Sequence, residues 1–301
     1  MSTVPPSPPA PVSLVSGLRD LAPAYDVVLC DVWGVVHNGK QHFAAACAAL
    51  IRFREEGGVV VLVTNAPRPN PPVREQLDRL GVPRAAFDDI VTSGDVTLAL
   101  IAAHGEAPLH HIGPERDLAL FSILTGLMGV DPPRVDLDDA SYVVCTGLFD
   151  DQTEKPGDYD GQLARMRARD LEFISANPDH VVHVGDRLLY CSGAIADRYE
   201  KLGGRVLQAG KPFAPIYERA MDIASKHRGG RVEKSRVLAI GDGMRTDIRG
   251  AGDFGIDSLF IAGGIHQGDV QDAVGLDAAM LEKFLQNAES RPKAALGTLV
   301  W

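Results

Sequence analysis

The chain has 301 residues, 45% of them hydrophobic and 23% charged, and a formal net charge of −10. Such a length suits one large domain or two moderate ones, and the apolar content excludes an intrinsically disordered chain. The acidic balance excludes a general nucleic-acid binder, which needs a basic face, but still allows an anionic substrate held by a few placed cations or a metal.

Residues Met1 to Pro11 are proline-rich, without the basic start and apolar stretch of a signal peptide, and predict a flexible tail on a cytoplasmic protein. No apolar run reaches the roughly 20 residues that span a bilayer, so no membrane partner is expected. Cys30, Cys47, Cys145 and Cys191 form no CxxC pair and read as reduced, buried thiols. Ser16 to Leu21 predicts a short helix with Pro23 close behind it. Val27 to Asp31 is an apolar run that ends on a carboxylate, followed by Trp33 and Gly34. Phe43 to Glu56 predicts a helix stopped by Gly57-Gly58, and Val59 to Thr64 a buried strand. Pro72 to Leu80 reads as a helix and Asp89 to Thr92 as a third strand. Alternation of this kind implies a parallel sheet with right-handed crossovers.

The middle repeats the pattern. Helices are expected at Asp95–His104, Asp117–Leu127 and Gly161–Arg169, and strands at Leu109–Ile112, Tyr142–Cys145 and Glu172–Ser175. This stretch can bury its own core and reads as an inserted α/β domain. Ala214–Lys226 then predicts a helix, Arg236–Ile240 a strand, Thr246–Phe254 a helix and Ser258–Ala262 a strand. Val270–Ala288 is expected to be helical and Ala294–Trp301 to form a last edge strand. The resulting division is a tail with a short helix (1–24), a core (25–92), an inserted domain (93–207) and the rest of the core (208–301).

Asp31, Thr64-Asn65, Gly210-Lys211-Pro212 and Gly241-Asp242 through Asp247 all fall at loop positions next to strands or helix starts. Singly, each reads as ordinary turn or cap chemistry. Together they sit where an open parallel sheet binds ligands. If the strands before Asp31 and Asp242 are neighbours, the two carboxylates converge and repel unless a cation lies between them. Oxygen-only ligands suit Mg²⁺, which takes one or two carboxylates with phosphate oxygens and water. A lysine adds a point charge for the phosphate, and an aspartate can be the nucleophile of phosphoryl transfer.

The sequence resembles the haloacid dehalogenase (HAD) superfamily, class IIA, a branch that includes nucleotide, phosphoglycolate, 4-nitrophenylphosphate and pyridoxal phosphatases. The similarity runs in order through CDVWGV with Asp31, VTNAPRP with Thr64, AGKP with Lys211, and GDGMRTDI with Asp242 and Asp247. TSGDVT at the insertion point and ANPDH…GAIAD before the lysine resemble class IIA cap signatures. The resemblance implies a Rossmann-like core with a class IIA cap over residues 93–207. It implies Asp31 as nucleophile and Mg²⁺ ligand, the backbone carbonyl of Trp33 as a second ligand, and Asp242 as a third. Asp247 would support the metal directly or through water. Thr64 would bind the phosphoryl group, Asn65 would shape its loop, and Lys211 would neutralise nucleophile and phosphate. The cap would choose a small phosphorylated substrate, with Asn177, Asp179, His183 and Asp186 as candidates, and would carry a homodimer contact.

At one point the sequence departs from that pattern. The superfamily's phosphatases usually read Asp-x-Asp in the first motif, and the second Asp protonates the leaving alcohol and activates water. Trp33 stands there, and an indole N–H donates but does not ionise. Loss of such a group costs about 10²–10⁴ in rate. Three readings follow: a phosphohydrolase with its acid/base elsewhere or with an easy leaving group, a phosphate-binding regulatory protein with little turnover, and a dehalogenase. The last leaves Asp242 and Asp247 unexplained. His37 is a substitute in the same loop, with His183 and Asp186 further candidates, and Arg68 can reach an anionic substrate. His104, His110 and His111 have no ordered Cys, Asp or Glu partners in the sequence and read as packing or surface residues.

Overall fold

The structure, a computed structural model, describes residues 11–184, 187–272 and 275–301. The chain begins with Ser13–Leu14 (β1) and Val27–Cys30 (β2). It continues with Ala44–Glu55 (α1), Val59–Thr64 (β3), Asn70–Arg79 (α2), Asp89–Thr92 (β4) and Ser93–Ala103 (α3). The middle supplies Leu109–Ile112 (β5), Ala119–Met128 (α4), Tyr142–Cys145 (β6), Asp160–Ala168 (α5) and Glu172–Ser175 (β7). Val181–Val184 (β8), Arg187–Tyr190 (β9), Ser192–Lys201 (α6) and Arg205–Gln208 (β10) follow. Ala214–Arg228 (α7), Val237–Gly241 (β11), Arg249–Phe254 (α8), Asp257–Ile261 (β12), Gln267–Val270 (α9), Ala278–Phe284 (α10) and Ala294–Leu296 (β13) close the chain.

Seven strands form a parallel sheet in the order β1-β13-β12-β11-β2-β3-β4. Its central strands are apolar on both faces, as a doubly covered parallel sheet requires. Val28, Cys30, Val60, Leu62, Leu238 and Ile240 pack with Leu50 and Phe53 of α1 on one face. Val27, Leu29, Val61, Val63, Val237 and Ala239 pack with Ile216, Tyr217 and Ala220 of α7 on the other. The alternation is the period of two of a pleated strand.

A second, four-stranded parallel sheet, β10-β7-β6-β5, is built from the chain between β4 and α7. Val143, Cys145 and Phe173 pack with residues of α5 and α6 on one face, and Tyr142, Val144 and Ile174 with α3 and α4 on the other. The start of α3 is set by a reciprocal capping box. Thr92 Oγ1 accepts from the Asp95 amide at 2.9 Å, and Asp95 Oδ2 accepts from the Thr92 amide at 3.0 Å. β8 and β9 form a separate antiparallel hairpin. The four cysteines are buried and unpaired, and no described helix is long and apolar enough to cross a membrane.

The structure corrects several sequence expectations. Ser16–Leu21 is not an α-helix. Only Leu18–Asp20 makes a 3₁₀ turn, because the Val15 and Leu18 amides donate to Ala295 and Val300 carbonyls instead of within the segment. Residues 13–18 are thus tied to the C-terminal segment; residues 1–10, expected as tail, lie outside the described residues. Ala294–Trp301 is a strand only to Leu296 and is not the edge, since β1 pairs outside it. Val270–Ala288 divides into the end of α9, then α10, with a 3₁₀ turn at Leu285–Asn287. Met244–Ile248 is a π-helical turn before α8, not a plain helix start. The hairpin, α6 and β10 were not anticipated.

Leu62, fully buried in β3, carries one of the sheet's faces. Truncation to alanine leaves a cavity in a layer that cannot collapse, so Leu62→Ala is expected to lose about 2–5 kcal/mol of stability in chemical denaturation.

Candidate active site

β2 and β11 are adjacent, with Ile240 opposite Cys30, and the Asp31 amide donates to the Ile240 carbonyl at 2.7 Å. This register brings Asp31 and Asp242, each the first residue past its strand, to the same carboxyl edge. β3 lies on the other side of β2 and ends on Thr64. Lys211 enters between β10 and α7, and Asp247 sits in the π-helical turn, its amide donating to the Gly243 carbonyl at 2.8 Å.

These side chains meet. Lys211 Nζ donates to Asp31 Oδ1 at 2.5 Å and to Asp247 Oδ1 at 2.7 Å, with all three side chains under 10% exposed. Asp242 Oδ2 accepts from the Ile265 amide at 2.8 Å. Two glycines make room for that carboxylate. A Cβ at Gly34, where φ is +83°, would lie 2.1 Å from Asp242 Oδ2, and one at Gly264 1.9 Å from it. No other residue fits there without moving Asp242.

Burial and the Asp247 charge push the Asp31 carboxyl up, against the pull of Lys211. Burial and the Asp247 charge also push Asp242 up, to about 7. Burial alone would push the Lys211 ammonium down, but the charges of Asp247 and Asp31 outweigh it and hold it well above its usual range. One ammonium therefore faces three buried carboxylates. The ligand oxygens of Asp31, Asp242 and Asp247 lie within 4.8 Å of one another. An all-oxygen, net-negative cluster fits a hard divalent cation such as Mg²⁺, which would also keep a nucleophilic Asp31 ionised.

Asn65 ties the surroundings of Lys211 and Asp31 together. Its Oδ1 accepts from the Lys211 amide at 2.7 Å, and its Nδ2 donates to the Lys211 carbonyl at 3.1 Å and to Asp179 Oδ1 at 2.9 Å. Gly210 permits this closeness, because a Cβ there would lie 2.4 Å from Asn65 Oδ1 and 2.8 Å from Pro178. Asn177 Oδ1 accepts from the Asp179 amide at 3.0 Å, an Asx turn that fixes the Asp179 backbone.

Asp31, Thr64, Asn65, Asp179, Lys211, Asp242 and Asp247 line one cavity of about 610 Å³, together with Trp33. A second, of about 200 Å³, adjoins it and is lined by His37, Arg68, Arg116, Asp117, Asp151 and Asn177. Both cavities share Trp33, Thr64, Asn65, Asp179 and Val182. Trp33 is pinned: its ring lies edge-on to His37 at 5.0 Å, and a Cβ at Gly39 would lie 2.6 Å from it.

His37, the substitute acid/base that the sequence offered, is placed in the second cavity. It does not line the Asp31 cavity, its Nδ1 accepts from the Gly39 amide at 3.0 Å, and burial pushes its pKa down to about 4. Arg68 is placed in the second cavity, where its Nη2 donates to Gln76 Oε1 at 2.5 Å. His183 is described only as backbone in β8, and its side chain and all of Asp186 lie outside the described residues. His104 pairs with Glu172 and stacks on Tyr142; His110 and His111 bond to Gln162 and Thr146. None joins a metal cluster among the described residues. Sequence reasoning missed the Ile265 amide, though Gly263-Gly264 at a strand end is its signal.

Residues 28–123 match the model of the haloacid dehalogenase-like hydrolases, and residues 208–284 that of the HAD-hydrolase-like proteins. A hydrolase of the haloacid dehalogenase-like family from Brucella suis 1330 is 50% identical, with 95% of this chain and 100% of that one covered and a TM-score of 0.83. An acid sugar phosphatase of Staphylococcus epidermidis is 29% identical over 80% of this chain and 88% of its own length. A glycerol phosphate phosphatase of Mycobacterium tuberculosis, solved with calcium, is 28% identical, covering 81% of this chain and 68% of that one, with a TM-score of 0.62.

Folded and metal-free, Asp242 keeps its proton up to about pH 7, whereas the unfolded carboxyl releases it near 3.8. Its contribution to stability is therefore full below about 3.8 and lost as pH rises through about 7. A divalent cation held by this cluster would take the deprotonated form and repair this loss. Added Mg²⁺ should raise the thermal unfolding temperature more above about pH 7 than below it, and Asp242→Asn should remove the effect. Thermal scans with Mg²⁺ or EDTA on both sides of that pH check this; an equal rise at both contradicts it.

Proposed function

The chain belongs to the haloacid dehalogenase-like hydrolases, and from that premise we propose that it is a Mg²⁺-dependent phosphohydrolase acting on a small phosphorylated metabolite through an aspartyl-phosphate on Asp31. The observation that carries this reading is the Lys211 ammonium, buried between Asp31 and Asp247 at 2.5 and 2.7 Å beside Asp242. The names of two relatives, a sugar phosphatase and a glycerol phosphate phosphatase, support it.

Asp31, Asp242 and Asp247, with the Trp33 carbonyl, would hold Mg²⁺, which supplies positive charge against the carboxylates and the phosphate oxygens. Asp31 attacks phosphorus, and the bond to the leaving oxygen breaks. Lys211 offsets charge on the nucleophile and the phosphoryl oxygens throughout, at a site where burial strengthens each interaction. The Thr64 hydroxyl, at the end of β3, donates to the same oxygens. Asn65 keeps Lys211 in place through both of its backbone bonds. The unit of residues 93–207 acts as the cap that selects the substrate, since its Asn177–Asp179 turn reaches the cavities.

A phosphate-binding protein with little turnover is the second reading, and Trp33 is the observation that favours it. Inorganic phosphate release from a panel of phosphate esters and phosphoanhydrides separates the two. With Mg²⁺ the chain should release phosphate, EDTA and Asp31→Asn should abolish release, and Lys211→Ala should lower it at least about 100-fold. Binding of substrate with no release favours the second reading. Release that survives both EDTA and Asp31→Asn sinks the first.

A further inference from the structure

An alkyl phosphate needs a proton donor for its leaving oxygen and a base for the water that follows, and Trp33 can be neither. The titratable residues that line the Asp31 cavity are Asp31, Asp179, Lys211, Asp242 and Asp247. Four have other work. Asp31 forms the bond to phosphorus, Lys211 is held charged by two carboxylates, and Asp242 and Asp247 belong to the metal cluster. Asp179 remains, and it is the only titratable residue shared by both cavities among the described residues. It thus stands where the phosphoryl cavity opens toward the space for a leaving group.

We propose that Asp179, carried by the inserted unit, is the general acid and base of this site and does the proton transfer that Trp33 cannot; this rests on the phosphohydrolase reading above. Asn65 Nδ2 donates to Asp179 Oδ1 at 2.9 Å, so Oδ1 is engaged as an acceptor and Oδ2 is left to carry the proton. The Asx turn from Asn177 holds the backbone on its other side. The charged and titratable groups around it are Lys211, Asp247, Asp242, His180 and Cys191. Burial pushes the Asp179 carboxyl up against the pull of Lys211 and Asn65, in the direction a proton donor near neutral pH needs.

The steps balance. Asp31 oxygen bonds to phosphorus as the ester P–O bond breaks, and the departing alkoxide takes the Asp179 proton to leave as alcohol. Water then attacks the aspartyl-phosphate, gives one proton back to Asp179, and the Asp31–phosphorus bond breaks to release hydrogen phosphate.

Asp179→Asn keeps an acceptor for Asn65 but cannot transfer a proton. With Mg²⁺, glycerol 3-phosphate hydrolysis should fall at least about 100-fold. 4-Nitrophenyl phosphate, whose phenolate departs without an acid, should give a burst of one nitrophenolate per chain and then slow turnover, since the second step has lost its base. Equal losses on both esters without a burst, or no loss, would overturn the proposal. If Asp179→Asn does not fold, the native pH profile decides. The kcat/KM for glycerol 3-phosphate should fall as pH rises while single-turnover nitrophenolate release stays level, and parallel profiles would overturn the assignment. A native chain that releases phosphate from no ester or phosphoanhydride of the panel refutes the phosphohydrolase reading itself, and one that releases it from anhydrides but from no alkyl ester overturns this inference alone.

Discussion

Everything at the carboxyl edge of the large sheet depends on one buried ammonium. Lys211 reaches Asp31 and Asp247 at 2.5 and 2.7 Å, and without it three carboxylates would face each other out of water. Buried like charges are costly, and breaking a buried pair by removing one partner costs more than the pair contributes when intact. The fold invests much in placing this one side chain. β2 beside β11 presents Asp31 and Asp242, β3 presents Thr64 and Asn65, and Asn65 grips the Lys211 backbone from both sides. Gly210 lets the Lys211 segment close on Asn65, Pro178 and Ser93.

On the proposed reading, Trp33 changes how the work is divided between the two units. The indole is fixed against His37 and Gly39 and forms a wall common to both cavities. Asp31, Asp242 and Asp247 come from the carboxyl edge of the large sheet, and Lys211 reaches them from the segment between β10 and α7. On the proposed reading the proton comes from the other unit, through Asp179. Turnover of esters with poor leaving groups then requires the inserted unit to be seated on the core, because the Asn65–Asp179 bond crosses between them.

Much of this was legible in the sequence, for identifiable reasons. The runs at Val27–Cys30, Val59–Thr64 and Val237–Gly241 are buried on both faces, so they read as continuous apolar strands, and chemistry-bearing residues end each of them. What failed lacked such a signal. β10 alternates exposed and half-buried residues at the edge of its sheet, and β8 and β9 pair only with each other. β1 has two residues and exists only because β13 offers it an edge, a tertiary fact that no local pattern carries. The same limit held at the site. His37, a candidate in the sequence, is buried in the fold and does not line the Asp31 cavity. The Ile265 amide that holds Asp242 is backbone, invisible to any reading of side chains.

The most direct measurement of the account maps the covalent intermediate. The chain is acid-quenched during turnover of 4-nitrophenyl phosphate with Mg²⁺, reduced with borohydride to convert an acyl phosphate into the alcohol, and its peptides are mapped by mass spectrometry. The account predicts reduction at Asp31 alone, and only in samples given substrate. Phosphate release with no modified carboxylate, or with the label at Asp179, Asp242 or Asp247 instead, would contradict it.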